Sequence, residues 1–96
     1  MKFMIYSQDK EDGLRIRKAN RDAHLAFLGT NAPVKVLSAG PWLSDDGETM
    51  TGSLLIVEAD ALADVKEWLK SDPYVQAGLP ASVTVHPFIW AIGAPG

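Results

Sequence analysis

The stretch Val34–Glu58, VKVLSAGPWLSDDGETMTGSLLIVE, holds two β-type runs with no helical segment between them. Val34 to Ala39 reads as a strand, with Val34, Val36 and Ser38 on one face, and Gly40-Pro41 is expected to break it. Trp42 to Thr49 reads as a polar loop that turns at Asp45-Asp46-Gly47. Gly52 to Glu58, with Leu54-Leu55-Ile56-Val57 at its centre, is a second and strongly apolar strand. Two strands in succession predict an antiparallel hairpin with a long loop.

On each side of this hairpin lies a helical pattern. Before it, Leu14 to about Gly29 has no proline, and Ile16, Ala19, Ala23 and Phe27 recur near helical spacing. Asp12 is placed to cap this helix, and Gly29 followed by Asn31 to stop it. Arg21, His24 and Leu28 fall on an adjoining stripe at steps of three and four. After the hairpin, Asp60 is placed to cap a second helix whose apolar stripe is Leu62, Val65, Trp68 and Leu69. Asp72-Pro73 should end it, because a residue before proline avoids the helical region. Tyr74 to Gly78 reads as one further turn.

The outermost segments are strands again. Lys2 to Gln8 places Phe3, Ile5 and Ser7 on one face and Met4 and Tyr6 on the other. Apolar residues on both faces suit a central strand. Ser82 to Trp90 is the last strand, and Pro87 within it marks an edge or a bulge. Ala91 to Gly96 is a small-residue tail, expected to fray. The order is therefore βαββαβ, the ferredoxin-like α+β pattern: a four-stranded antiparallel sheet with two helices on one face. The helices cover only that face. The other is not plainly polar, so a homodimer with sheets packed face to face is the economical way to cover it.

The 96 residues predict one domain, spanning 1–96. A net charge of −3 argues against nucleic-acid binding, which needs clustered cations; only Arg15, Arg17, Lys18 and Arg21 form a small group. The absence of cysteine removes disulfides, a thiolate nucleophile and cysteine-based metal sites, and fits a reducing compartment. The first residues do not read as a secretory signal, and no run approaches the ~20 apolar residues of a membrane helix. A cytoplasmic protein that engages neither membrane nor nucleic acid is expected.

Arg21-Asp-Ala-His24-Leu25 and Ser71-Asp72-Pro73-Tyr74 are far apart in the chain yet chemically paired. An imidazole among apolar residues needs a polar partner, and a carboxylate at a helix C-terminus is repelled by the helix dipole. Contact between His24 and Asp72 would answer both needs, with Arg21 as the alternative partner of the carboxylate. Several further segments accompany these two: Gln8-Asp9, Ser38-Ala39-Gly40-Pro41, Gly52-Ser53, Ala77-Gly78-Leu79 and Val85-His86-Pro87-Phe88. As an ordered set running through almost the whole chain, they resemble the YCII (YciI-like) family. The resemblance implies the dimeric α/β-barrel variety of the ferredoxin-like fold. It also implies an active site around a His–Asp pair, here His24 and Asp72. The family is similar in fold to muconolactone isomerases, and one of its branches eliminates chloride from a hydroxylated aromatic.

In that setting Asp72 would fix the tautomer of His24 and stabilise the imidazolium, leaving the other ring nitrogen to move a proton. Arg21 suits an anionic substrate group, or else makes a surface salt bridge. Ser38 would donate into the pocket and Gly40 would let a ligand approach the backbone, or the two simply help end a strand tightly. Tyr74 walls the pocket or packs in the core. His86 has no reason to meet His24 and Asp72, so neither a metal nor another cofactor is expected. Three readings follow. One is a cofactor-free lyase or isomerase, dehydrochlorinase-like or muconolactone-isomerase-like, that acts on a small, partly apolar substrate. Another is a non-catalytic module that binds a small ligand, and the last is a purely structural dimerisation domain.

Overall fold

A computed structural model of the chain describes residues 1–30 and 33–94. The elements run β1 (Lys2–Asp9), α1 (Gly13–Leu28), β2 (Lys35–Leu43), β3 (Met50–Glu58), α2 (Leu62–Leu69), α3 (Pro73–Gln76) and β4 (Pro80–Phe88). The four strands form one antiparallel sheet in the order β2-β3-β1-β4. This is the expected ferredoxin-like α+β arrangement, with β1 central.

Register explains which residues meet the helices. Phe3 pairs with Val57, Ile5 with Leu55 and Ser7 with Ser53, so these six share one face. Val65 and Trp68 of α2 close over the apolar four together with Val34 and Ala59, while Phe27, Leu28, Leu62 and Leu69 pack at the margin. The apolar stripe read on α2 is therefore the one that is used.

Several local expectations are corrected. The strand that was expected to break at Gly40-Pro41 continues to Leu43, so Trp42 belongs to β2 and not to a loop. β2 lies at the sheet edge, where a proline leaves no partner waiting for its missing N–H. A register shift between Val36 and Ser38 leaves Leu37 as an extra residue. The bulge reverses the alternation, so that Ser38 pairs with Ile56, on the face away from the helices. The last strand spans Pro80–Phe88, earlier than read, and is the other edge strand, as Pro87 suggested.

Neither aspartate expected to cap a long helix does so. Asp12 sits at the α1 N-cap in the left-handed region (φ 64°), and its carboxylate accepts from Arg15 instead of from the helix amides. The second helix starts one residue beyond Asp60, at an Ala61 N-cap. It also stops at Leu69, short of Asp72. Asp72 begins α3 instead: its side chain accepts the Tyr74 N–H at 2.9 Å, with Pro73 in the first turn. The dipole argument for a repelled charge at Asp72 is thereby inverted, since an anion at a helix start is favoured. Gly29 stands at the end of α1 as expected, while Asn31 lies outside the described residues, as do the last two residues of the tail.

The face of α1 also differs from its apolar spacing. Ala19 and Ala23 are exposed, whereas Gly13, Arg17 and His24 are buried. Partners on other elements, described below, make this polar burial tolerable.

On the helix-free face, the Trp42 ring stacks on Tyr6, with centroids 5.5 Å apart, and its Nε1 donates to the Ser7 carbonyl at 2.8 Å. Gly52 lies beneath that indole. A Cβ there would collide with the Ser7 carbonyl oxygen and with the indole Nε1 itself. Gly52→Ala is therefore expected to cost about 1–3 kcal/mol, read as a fall in melting temperature of roughly 4–8 °C per kcal/mol for a domain of this size. An unchanged melting curve would contradict this packing.

Candidate active site

The site lies where α1 and α3 meet the ends of β1, β2 and β3. His24 projects from the buried side of α1, and the N-cap of α3 brings Asp72 to it. His24 Nδ1 and Asp72 Oδ1 are 2.8 Å apart, with the residues 7% and 5% exposed. An ionised carboxylate only accepts, so the Nδ1–H donates and Nε2 is left as the free lone-pair nitrogen. Nε2 has no partner among the described residues and is not sealed from solvent. The Tyr74 ring lies flat on the imidazole, with centroids 3.8 Å apart and planes within 11°. One short helix thus supplies both the carboxylate that orients the ring and the aromatic that holds its plane.

Beside this stack is a second buried polar group. Arg17 Nε donates to Asp9 Oδ2 at 2.6 Å and Nη2 to Oδ1 at 3.2 Å, a forked pair with both side chains 5% exposed. Nη2 also donates to Ser53 Oγ at 2.7 Å, and the guanidinium carbon sits 5.2 Å from the Tyr74 ring centroid. Arg17, Asp9 and Ser53 were not among the residues expected in the site. Arg17 reads in the sequence only as one of a small basic group; the nearest signal is that Gln8-Asp9 and Gly52-Ser53 are among the segments that carry the family resemblance.

A cavity of about 310 Å³ opens over these groups. Arg17, Lys18, Arg21, His24, Ser53 and Tyr74 supply its polar wall. Leu25, Leu28, Met50 and Leu55 supply its apolar wall, with Ala39-Gly40-Pro41 of β2 at the side. Of the expected site residues, His24, Arg21, Gly40 and Tyr74 line it, and Asp72 stands behind His24. Ser38 does not, because the β2 bulge turns it to the other sheet face. His86 is also on that far face, opposite Met4. Among the described residues, no carboxylate lines the cavity. Lys18 and Arg21 carry no ion pair among the described residues, so the cavity is electropositive in a chain of net negative charge.

Burial pushes the Tyr74 phenol above its ordinary pKa, and the Arg17 charge partly offsets this. The folded state therefore resists ionisation of Tyr74. Stability from this group is full below the unfolded phenol's pKa of about 10 and is lost as pH rises through the higher folded value. In an alkaline ultraviolet titration, a late phenolate transition present in the wild type and missing in Tyr74→Phe is the expected result. If both proteins titrate identically, the ring is not held in this environment.

The architecture is that of a small ferredoxin-like α+β domain with an imidazole–carboxylate pair at a cationic cavity. The chain belongs to the YCII-related domain family, whose model matches residues 1–89. It is 39% identical over 94 residues to protein YciI of Escherichia coli, covering 92% of this chain and 96% of that one. Among solved structures it is similar to 5-chloro-2-hydroxyhydroquinone dehydrochlorinase (TftG) from Burkholderia phenoliruptrix AC1100 in complex with 2,5-dihydroxybenzoquinone. The TM-score is 0.80 at 36% identity, covering 93% of this chain and 94% of that one. A dimeric protein of unknown function from Bacteroides fragilis, with a ferredoxin-like fold, aligns with a TM-score of 0.54 at 21% identity, over 91% and 94% of the two chains. That second likeness is one of fold.

Proposed function

We propose that this protein is a cofactor-free lyase or isomerase that moves a proton on a small, partly apolar, anionic substrate. The observation that carries the reading is the engagement of His24 Nδ1 by Asp72 at the wall of an open cavity, which leaves Nε2 as the base. Asp72 orients the ring and stabilises the imidazolium that forms, and Tyr74 keeps the ring plane fixed. Arg21, with Lys18 beside it, draws in the acidic group of the substrate, and the leucines take its apolar part. The β2 segment Ala39-Gly40-Pro41 bounds the side of the cavity along which a flat ring would lie. The dehydrochlorinase likeness supports the lyase reading, because elimination from a hydroxylated ring begins or ends with such a proton transfer.

We assign the helix-free sheet face to a second copy of the chain. Tyr6 and Leu54 are 41% and 44% exposed there, beside Trp42. Gel filtration at high concentration should give a dimer. A reducing, cytoplasmic setting suits a chain without cysteine, and no described helix is long and apolar enough to cross a membrane.

The functional test is a panel of lactones, enols and halogenated phenols, including 5-chloro-2-hydroxyhydroquinone, with 2,5-dihydroxybenzoquinone as a binding probe. Turnover by the wild type that disappears in His24→Ala is expected. Binding without turnover in either protein would favour the non-catalytic ligand-binding module.

A further inference from the structure

We propose that Ser53 is a further catalytic residue, whose hydroxyl donates to the substrate oxygen that gains negative charge when His24 removes a proton. This rests on the proton-transfer reading and names the chemical class it acts on: a carbonyl or enol compound with its oxygen next to the reacting carbon.

The argument starts from donor bookkeeping. A guanidinium has only donors, so in the 2.7 Å contact with Arg17 Nη2 the Ser53 oxygen must accept. Its single O–H is then aimed elsewhere, and no described residue accepts it. Ser53 is buried, its register with Ser7 and Pro41 turns it to the helix side of the sheet, and it lines the same cavity as His24. The unspent proton therefore has the cavity as its outlet. The donor behind it cannot drift, because the fork to Asp9 fixes Arg17 and the Tyr74 face lies against it. A cation feeding a hydrogen bond into Oγ polarises the O–H outward. A fixed, polarised donor at the cavity wall suits the stabilisation of charge that appears only during reaction.

The step balances as follows. Nε2 takes the proton from the carbon beside the carbonyl. The C–H electron pair becomes a C=C bond, and the carbonyl π pair moves onto oxygen, which accepts from Ser53. Where a second C=C is conjugated with the enolate, the imidazolium then returns the proton to the far carbon of that bond as the carbonyl re-forms and the double bond shifts, giving an isomer. Alternatively, a leaving group on the next carbon departs with its electron pair as the carbonyl re-forms, and the proton passes to water. Ser53 touches the substrate. Arg17 is a positioning residue, held in turn by Asp9.

Calorimetric titration with 2,5-dihydroxybenzoquinone, which offers acceptor oxygens, and with toluene, which offers none, tests this. Ser53→Ala should weaken quinone binding by about ten- to a hundredfold, the range for a hydrogen bond to a charged group, while toluene binding stays unchanged. Ser53→Thr keeps the hydroxyl and should bind the quinone nearly as the wild type does. Three results would overturn the assignment while leaving His24 as the base: equal quinone binding by Ser53→Ala, equal loss of both ligands, or a threonine variant as weak as alanine. A wild type that binds no quinone would bring down the proton-transfer reading together with this one.

Discussion

Asp9→Leu, with Arg17 left in place, is expected to lose about 3–5 kcal/mol of stability. Both side chains of this pair are 5% exposed. Removing the carboxylate strands a guanidinium that cannot give up its proton and leaves it against Ser53 and the Tyr74 ring. Domains of this kind are stable by about 5–15 kcal/mol in total, so the variant should sit near the edge of unfolding. Urea titration would show this as a large fall in midpoint at unchanged slope. The double variant Asp9→Leu/Arg17→Met removes both charges and should recover much of the loss, because apolar residues of similar volume avoid the desolvation cost. The surface pairs make the contrast. Arg15–Asp12 and Lys70–Glu67 have side chains more than 70% exposed, and breaking either should change stability by less than about 1 kcal/mol. A single Asp9 variant as mild as those would mean that water reaches the buried fork.

Asp72→Asn should separate chemistry from folding. The amide oxygen can still accept the Tyr74 N–H, so the start of α3 keeps its cap. The Tyr74 N–H and His24 Nδ1 meet on the same atom, Oδ1, so the oxygen that keeps the cap also accepts the Nδ1–H and the tautomer is kept. What is lost is the negative charge that stabilises the imidazolium, and the base at the cavity is weakened. On any substrate turned over by the wild type, the rate should fall by at most about 10²–10⁴-fold, with the thermal melt nearly unmoved. The downfield Nδ1–H resonance expected for a carboxylate-bonded imidazole should move upfield with it. Turnover within a few-fold of wild type would show that the pair is only structural.

The element order was legible because its signals are local. Apolar runs, proline–glycine punctuation and the Leu62–Val65–Trp68–Leu69 stripe need no knowledge of neighbours. What was misread depended on neighbours. Proline at position 41 breaks a central strand but not an edge strand, and edge position is a property of the sheet. Ser38 was assigned to the wrong face because alternation assumes an unbroken ladder, and one extra residue at Leu37 reverses it. Ala19 and Ala23 looked like the buried side of α1 by spacing, yet Arg17 and His24 are buried because Asp9 and Asp72 reach them from distant positions. The nearness of His24 and Asp72 could be expected from the need of a buried imidazole for a polar partner and from the family resemblance, whereas the dipole argument for Asp72 rested on the wrong helix end. The Arg17–Asp9–Ser53 group was not, because nothing about a basic cluster in sequence says which member turns inward.

Both outermost strands of the sheet contain a proline, Pro41 on one side and Pro87 on the other, and β2 is also bulged. Each open border thus lacks a donor, and one is kinked as well, so neither offers the straight run of amides that a strand from another molecule would need. Lateral growth into a continuous ribbon is opposed at both ends, which is compatible with the proposed pairing through the flat of the sheet. A concentrated sample held near its melting point should accordingly stay free of cross-β fibrils.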